Sequence, residues 1–361
     1  MKILIITNHS YMFYQFRKEL VQRLLQEHEV VLAMPYVGHE EKFQDMGCKC
    51  IETKLERRSK NVLGESRLIR NYYQILKSEK PDMVITYSIK PNVYAGTLCS
   101  IMKIPYFVNV QGIGTAFQSS GMAKFATVLY KIGLRKARAV FFENEENADL
   151  FVNRGIVKRE KIKLLNGAGV NLDHYTLKEY PEKRETTRFL YLGRIMKEKG
   201  IEEMAFAIRK LYRKYGNRVK LDIVGFYEEA YKEEVERLVQ EGIAEFHGFQ
   251  YETRPFYERA HCVVLPSYHE GMSNVLLEAA SCGRPLITCD IHGCKEAVED
   301  GVTGYLCRVQ DGESLYEQMD KFMALSYEKS REMGLKGREK MEREFDKIKV
   351  VGETVETLNR L

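Results

Sequence analysis

The chain has 361 residues, too many for one small core and suited to two domains of ordinary size. Hydrophobic residues make up 44% and charged residues 30%, a balance that excludes long disorder. Residues 1–180 carry 27 Lys+Arg against 18 Asp+Glu, whereas the remainder carries 29 against 33. The basic half favours an anionic partner; with no nucleic-acid motif present, anionic lipid or a lipid diphosphate is expected.

Met1–Thr7, MKILIIT, reads as an opening strand and not as a signal peptide. No apolar run reaches the roughly 18–20 residues that span a bilayer, so a cytoplasmic protein is expected. The eight cysteines form no CxxC pair and no zinc spacing, which points to free thiols.

The predicted elements alternate. Lys2–Thr7 is a strand, Phe16–Glu27 a helix, Glu29–Met34 a strand, Glu40–Met46 a short helix and Lys49–Thr53 a strand. Ser66–Lys80 is a helix, Met83–Tyr87 a strand, Val93–Met102 a helix and Tyr106–Val110 a strand. Ala123–Lys136 is a helix, Ala139–Glu143 a strand, Glu145–Arg154 a helix and Lys161–Leu165 a strand. The rhythm restarts with the strand Thr187–Leu192 and the helix Glu202–Tyr215. Lys220–Val224 is a strand, Glu229–Gln240 a helix, Ala244–Phe246 a strand, Arg254–Arg259 a helix and Cys262–Pro266 a strand. Asn274–Cys282 is a helix, Pro285–Cys289 a strand, Cys294–Val298 a short helix and Gly304–Arg308 a strand, with two helices closing the chain. Two such series imply two doubly wound α/β domains, divided near the polar stretch Val170–Glu185. Ligands of such sheets bind at strand carboxyl ends, so the site is expected in the cleft between the domains.

The richest stretch is Pro266–Cys282, PSYHEGMSNVLLEAASC, where a buried strand meets a helix. Ser273 is a candidate N-cap, and the amides of Gly271, Met272, Ser273 and Asn274 could face an anion with help from the helix dipole. Glu270 in the loop and Glu278 on the helix could reach one ligand, or could be unrelated carboxylates. Tyr191–Gly200, YLGRIMKEKG, places Arg194 at a strand tip after Gly193, with Lys199 five residues on. A guanidinium and an ammonium at one strand end suit a diphosphate; a solvated basic turn is the other reading.

Taken together these segments resemble the retaining glycosyltransferases of family 4. Glu270 and Glu278 match that family's E-x7-E signature, and Arg194 with Lys199 its cationic pair. The resemblance implies a GT-B architecture: two facing Rossmann-like domains with an inter-domain cleft. It sets an N-terminal acceptor domain at 1–172, completed by a C-terminal helix at about 346–361, and a donor domain at 173–345. It implies that Arg194 and Lys199 neutralise the departing diphosphate and that Glu270 holds the donor sugar. Glu278 would hold the ribose, Gly248, Phe249 and Gln250 would border the base, and Gly193, Met272 and Val275 would line the donor. No cofactor and no metal are expected, since no Asp-x-Asp triplet occurs. The implied reaction transfers a hexose or N-acetylhexosamine from a UDP-sugar to a polyprenyl-diphosphate-linked or other glycan acceptor. A UDP-N-acetylglucosamine 2-epimerase on the same fold is the alternative. A dinucleotide-dependent oxidoreductase is disfavoured because no strand is followed by G-x-G-x-x-G.

In the basic half, His9, Lys90, Asn92, Gln111 and Gly112 are the candidate acceptor-side residues, from the segments NHSYMF, SIKPN and VQGIGT. His9 could contact acceptor or phosphate, or be an ordinary loop histidine. Gln111 stands where many relatives carry a histidine, so no titrating base is available there. Met122–Arg138 mixes Phe125, Val128, Leu129 and Ile132 with Lys124, Lys131, Arg135, Lys136 and Arg138, and Arg57, Arg58 and Lys60 add charge earlier. It reads either as a helix lying on an anionic membrane or as a core-packed helix with a basic outer face. The expected location is therefore cytoplasmic, with peripheral attachment to the inner face of the membrane as the further expectation.

Overall fold

The structure, a computed structural model, describes residues 1–53, 62–112, 117, 120–182 and 186–360. Arg57, Arg58, Lys60 and residues 113–115 of VQGIGT lie outside the described residues. The chain forms two compact units, one of Met1–Ala168 with Ile348–Leu361, the other of Gly169–Lys347.

The first unit is a parallel sheet of β1 (Lys2–Ile6), β2 (Glu29–Met34), β3 (Lys49–Glu52), β4 (Met83–Tyr87), β5 (Tyr106–Val110), β6 (Val140–Phe142) and β7 (Ile162–Leu164). Its order is β3-β2-β1-β4-β5-β6-β7, with β1 between β2 and β4 and Ile3 paired to both Val30 and Met83. Strands such as VVLAM and MVITY are buried on both faces, so they are continuous apolar runs instead of alternating ones. The connecting helices are α1 (Ser10–Leu25), α2 (Glu40–Asp45), α3 (Val62–Glu79), α4 (Gly96–Met102), α5 (Ser120–Leu134) and α6 (Glu145–Asn153). One face packs Ile3, Ile5, Leu20 and Leu24 with Val350, Val355 and Leu358; the other packs Leu4, Ile6, Tyr72, Tyr130 and Leu134.

The second unit holds β8 (Thr187–Leu192), α7 (Ile201–Tyr215), β9 (Val219–Val224), α8 (Lys232–Gln240), β10 (Ala244–Phe246), α9 (Arg254–Arg259) and β11 (Cys262–Leu265). It continues with α10 (Asn274–Ser281), β12 (Leu286–Cys289), β13 (Gly304–Cys307), α11 (Gly312–Met323) and α12 (Tyr327–Lys340). The sheet order is β10-β9-β8-β11-β12-β13, again parallel. A last helix, α13 (Lys347–Arg360), supplies the Val350, Val355 and Leu358 of the first unit's core. Three helices therefore follow β13 where the sequence pattern predicts two. Helix α1 starts six residues before its predicted start, because His9 caps it through Nδ1 to the Met12 amide. Among the described residues no helix is long and apolar enough to cross a membrane.

One glycine fixes the geometry after β8. Gly200 has φ +71, and a Cβ there would stand 2.1 Å from the Pro266 carbonyl oxygen, so the two strand ends run in backbone contact. Gly242 has the same φ, but a Cβ there would meet nothing within 4 Å. Gly242→Ala is expected to cost about 1 kcal/mol in urea unfolding, and Gly200→Ala at least about 2 kcal/mol more, the excess being the overlap with Pro266.

Candidate functional site

The site is built on the carboxyl ends of β8 and β11, adjacent strands paired Phe189 to Cys262. After Leu192 the chain turns at Gly193, whose amide donates to the Val224 carbonyl. The buried Tyr191 hydroxyl donates to the backbone carbonyls of Arg194 at 3.0 Å and Lys199 at 3.3 Å, bracing the loop from beneath. The Tyr268 amide donates to the Glu198 carbonyl, stitching the β8 loop to the β11 loop.

This bracing brings Lys199 and Glu270 together. The Lys199 ammonium is ion-paired with the Glu270 carboxylate, with side chains only 15% and 13% exposed. Removing either partner leaves a largely buried charge uncompensated. Arg194 is more open and pairs with Glu228 at 3.6 Å. Glu228 is a site neighbour that sequence reading misses, since nothing in its spacing distinguishes it from a surface acid.

The start of α10 departs from expectation in two respects. Ser273 occupies the N-cap position but its side chain makes no capping bond. Its amide donates to the Gly293 carbonyl at 2.8 Å, so it is spent within the fold and does not face an anion. Asn274, the first residue of α10, keeps a first-turn amide of the kind helix geometry leaves open, whereas Met272 precedes the N-cap. Gly293, which sequence reading also misses, lies against the loop: a Cβ there would be 2.7 Å from the carbonyl oxygens of Glu270 and Gly271. A side chain at 293 would push the Glu270 loop out of place.

Glu278 sits one turn inside α10 and is only 8% exposed. Its carboxylate accepts from the Tyr257 hydroxyl at 2.8 Å and from Tyr175. Burial pushes its pKa up to about 7, against the lowering pull of the two tyrosines and Lys347. Neither tyrosine stands out in the sequence.

The loop after β10 carries Gly248, Phe249 and Gln250. The Gly248 carbonyl accepts from the Gly225 amide, and Gln250 Nε2 donates to the His247 carbonyl at 2.7 Å. Phe249 is exposed, with Phe226 and Tyr251 rings edge-on at 6.0 and 4.9 Å. Beneath it Asp222, Glu245 and His247 gather their ligand atoms within 4.8 Å. Arg259 at 2.8 Å and Arg188 at 3.3 Å already sit on Asp222, so the cluster is a charge network whose cations come from the chain itself. Val275 and Gly271 are half-buried beside the α10 start.

In the first unit the acceptor-side candidates separate. His9 spends Nδ1 on the α1 cap. Lys90 is paired with Glu65 at 2.7 Å. Asn92 is 1% exposed and donates to the Asn109 carbonyl at 2.8 Å, so it is a strut beneath the sheet end and is not offered to a ligand. Gln111 and Gly112 are half-buried at the end of β5. On α5, Ala123, Ala126, Tyr130 and Leu134 face the core. Phe125, Val128, Ile132 and Met122 are 67%, 55%, 50% and 47% exposed, with Lys124, Lys131, Arg135 and Lys136 exposed among them or just beyond.

Residues 186–324 match the family model described as "Glycosyl transferases group 1", and residues 2–144 the one described as "Glycosyl transferase 4-like". The chain is 25% identical over 341 residues to the N,N'-diacetylbacillosaminyl-diphospho-undecaprenol alpha-1,3-N-acetylgalactosaminyltransferase of Campylobacter jejuni, covering 88% of each. It is 28% identical over 248 residues to the capsular polysaccharide biosynthesis glycosyltransferase CapM of Staphylococcus aureus, covering 64% of each. Anabaena HepE, solved with UDP and glucose, superposes with a TM-score of 0.83 at 17% identity over all of both chains. Sucrose-phosphate synthase of Thermosynechococcus elongatus superposes with a TM-score of 0.82 at 18% identity, over 100% of this chain and 98% of that one. With two parallel α/β units that match GT-B structures throughout, and both family models placed on them, this chain belongs to the group 1 and 4-like glycosyl transferases and is a glycosyltransferase of the GT-B fold.

Proposed function

We propose that this enzyme transfers a hexose or N-acetylhexosamine from a UDP-sugar to a polyprenyl-diphosphate-linked glycan, with retention of configuration and without a metal ion. The observation that carries the reading is the Lys199–Glu270 pair at the start of α10; Arg194, whose backbone carbonyl shares the Tyr191 hydroxyl with that of Lys199, adds a second cation on the same loop. Glycosyl transfer develops an oxocarbenium-like sugar and puts negative charge on the leaving diphosphate. Arg194, Lys199 and the amide of Asn274 take that charge with donors already in place, which is where electrostatic catalysis gains most. Glu270, anchored by Lys199, holds sugar hydroxyls; Glu278 holds the ribose; Gly248–Gln250 borders the base. The relatives supply the substrate classes: one is named for a diphospho-undecaprenol acceptor, another for capsule biosynthesis, and a neighbouring structure holds UDP and glucose. These relatives are transferases or glycan-assembly enzymes, so the epimerase alternative gains nothing from them.

An acceptor on a polyprenyl chain lies in a membrane, and α5 offers a surface for it. Its exposed apolar stripe and interleaved lysines and arginines fit an anionic lipid surface on the cytoplasmic side.

Purified enzyme given UDP-hexoses or UDP-N-acetylhexosamines and a polyprenyl-diphosphate glycan is expected to form a product one sugar heavier by mass spectrometry. Its rate should survive EDTA, and the new linkage should keep the donor's anomeric configuration by NMR. Lys199→Ala and Glu270→Ala should each lower kcat by at least about 100-fold in protein whose circular dichroism shows it folded at the assay temperature, with a lowered melting temperature from the partner charge left buried; near-normal turnover in either overturns the assignment, and conversion of donor alone to an epimer replaces it. In flotation, the wild type should rise with phosphatidylglycerol vesicles and not with neutral ones. F125E combined with I132E should stay at the bottom, and wild-type protein that ignores anionic vesicles removes the membrane role of α5.

A further inference from the structure

Glu278 is gripped by two aromatic side chains that come from different parts of the second unit. Tyr257, on α9, is fully buried and donates its hydroxyl to Glu278 Oε2 at 2.8 Å. Tyr175 lies in the segment between Gly169 and β8, bonds the same carboxyl, and packs edge-on against Tyr257 with ring centroids 6.2 Å apart. The segment itself cannot drift. Arg338 donates to the Tyr175 carbonyl at 2.9 Å, and the wholly buried Arg284 donates to the carbonyls of Lys178 and Glu179 at 3.0 and 2.6 Å. The tyrosines are thus held at the backbone as well as by packing.

A carboxylate has about four acceptor sites, so two tyrosine donors leave two for a ligand. A ribose presents two vicinal hydroxyls, each of which donates best to an ionised acceptor. We propose that Tyr257 and Tyr175 are positioning residues that aim Glu278 at the two ribose hydroxyls of the donor and favour its accepting, ionised form. The proposal rests on the reading of Glu278 as the ribose-holding group.

The pH sense follows from the surroundings. The groups facing the carboxyl are Tyr257 from α9, Tyr175 from the connecting segment, Lys347 from the start of α13 and Cys282 from the end of α10. Burial and the Glu278 charge raise both tyrosines above their ordinary value, so they stay donors throughout. Burial likewise pushes the Cys282 thiol up to about 12, leaving it neutral. Glu278 ionises as pH rises through about 7. Each tyrosine bond favours the ionised form, so losing one moves ionisation to higher pH.

The test compares UDP with 2',3'-dideoxy-UDP by calorimetry from pH 5.5 to 8.5. Both carry the same diphosphate, so its titration cancels and the affinity ratio reports the ribose hydroxyls alone. In wild type the ratio should grow about tenfold with rising pH, as neutral bonds become charge-assisted. Tyr257→Phe should move the midpoint of that rise to higher pH, and Tyr175→Phe should move it the same way. Glu278→Gln should flatten it. A midpoint unmoved in both tyrosine variants, or a flat ratio in a wild type whose Glu278→Ala variant still loses UDP affinity, overturns the tyrosine proposal and leaves the ribose reading standing. Undiminished UDP binding by Glu278→Ala overturns the ribose reading itself. Melting without ligand gives an independent arm. A carboxyl whose folded pKa is raised from 4.5 to about 7 gives stability that is full below 4.5 and lost as pH rises through 7. Glu278→Gln should therefore gain melting temperature over wild type between pH 5 and pH 8, and no gain means the group is not buried as described.

Discussion

The second unit depends on how closely the loops after β8 and β11 approach. Gly200, in the β8 loop, lies against the Pro266 backbone, and Gly293, after β12, lies against the backbone of the Glu270 loop; both close approaches hold the loops where the Lys199 ammonium meets the Glu270 carboxylate. The pair is largely buried, so each charge is costly without the other, and the loops have little freedom to separate. Tyr191 and the Glu198–Tyr268 backbone bond carry the same constraint into the sheet. The result is a fixed cation and a fixed anion at one helix start, set before any ligand arrives. Such groups need little rearrangement when charge develops beside them.

Around this rigid centre the charges are graded. Arg194 is the more open cation and shares itself with Glu228, so it can turn to a ligand at small cost. Glu278 lies deeper and is balanced near neutrality. The network of Arg188, Asp222, His247 and Arg259 stiffens the base of the Gly248–Gln250 loop without reaching the helix start. These charged groups therefore differ in how much desolvation each has already undergone.

Much of this is legible in the sequence because it is local. Strand and helix alternation, the β8 loop with Arg194 and Lys199, and the spacing of Glu270 and Glu278 are short-range patterns, and the physics that reads them is periodic. What stays hidden depends on distant partners. Tyr175 and Tyr257 meet Glu278 only through the fold, Gly293 supports the Glu270 loop from another segment, and Gly293 also takes the Ser273 amide that local capping rules assign to a ligand. The start of α1 escapes the pattern because histidine is an unusual cap. On α5 the hydrophobic residues are visible in the sequence but their sorting is not. Ala123, Ala126 and Tyr130 go inward while Phe125 stays out, a choice made by the surface that α5 packs on.

The closing helix has a consequence for biosynthesis. Val350, Val355 and Leu358 fill a core whose other members, Ile3 to Leu24 among them, leave the ribosome first. The second unit is one uninterrupted stretch, Gly169–Lys347, and can complete itself while those early strands still lack a covering helix. The first unit is thus begun before the second and finished after it, and its open apolar face must be kept from aggregating until α13 has been made.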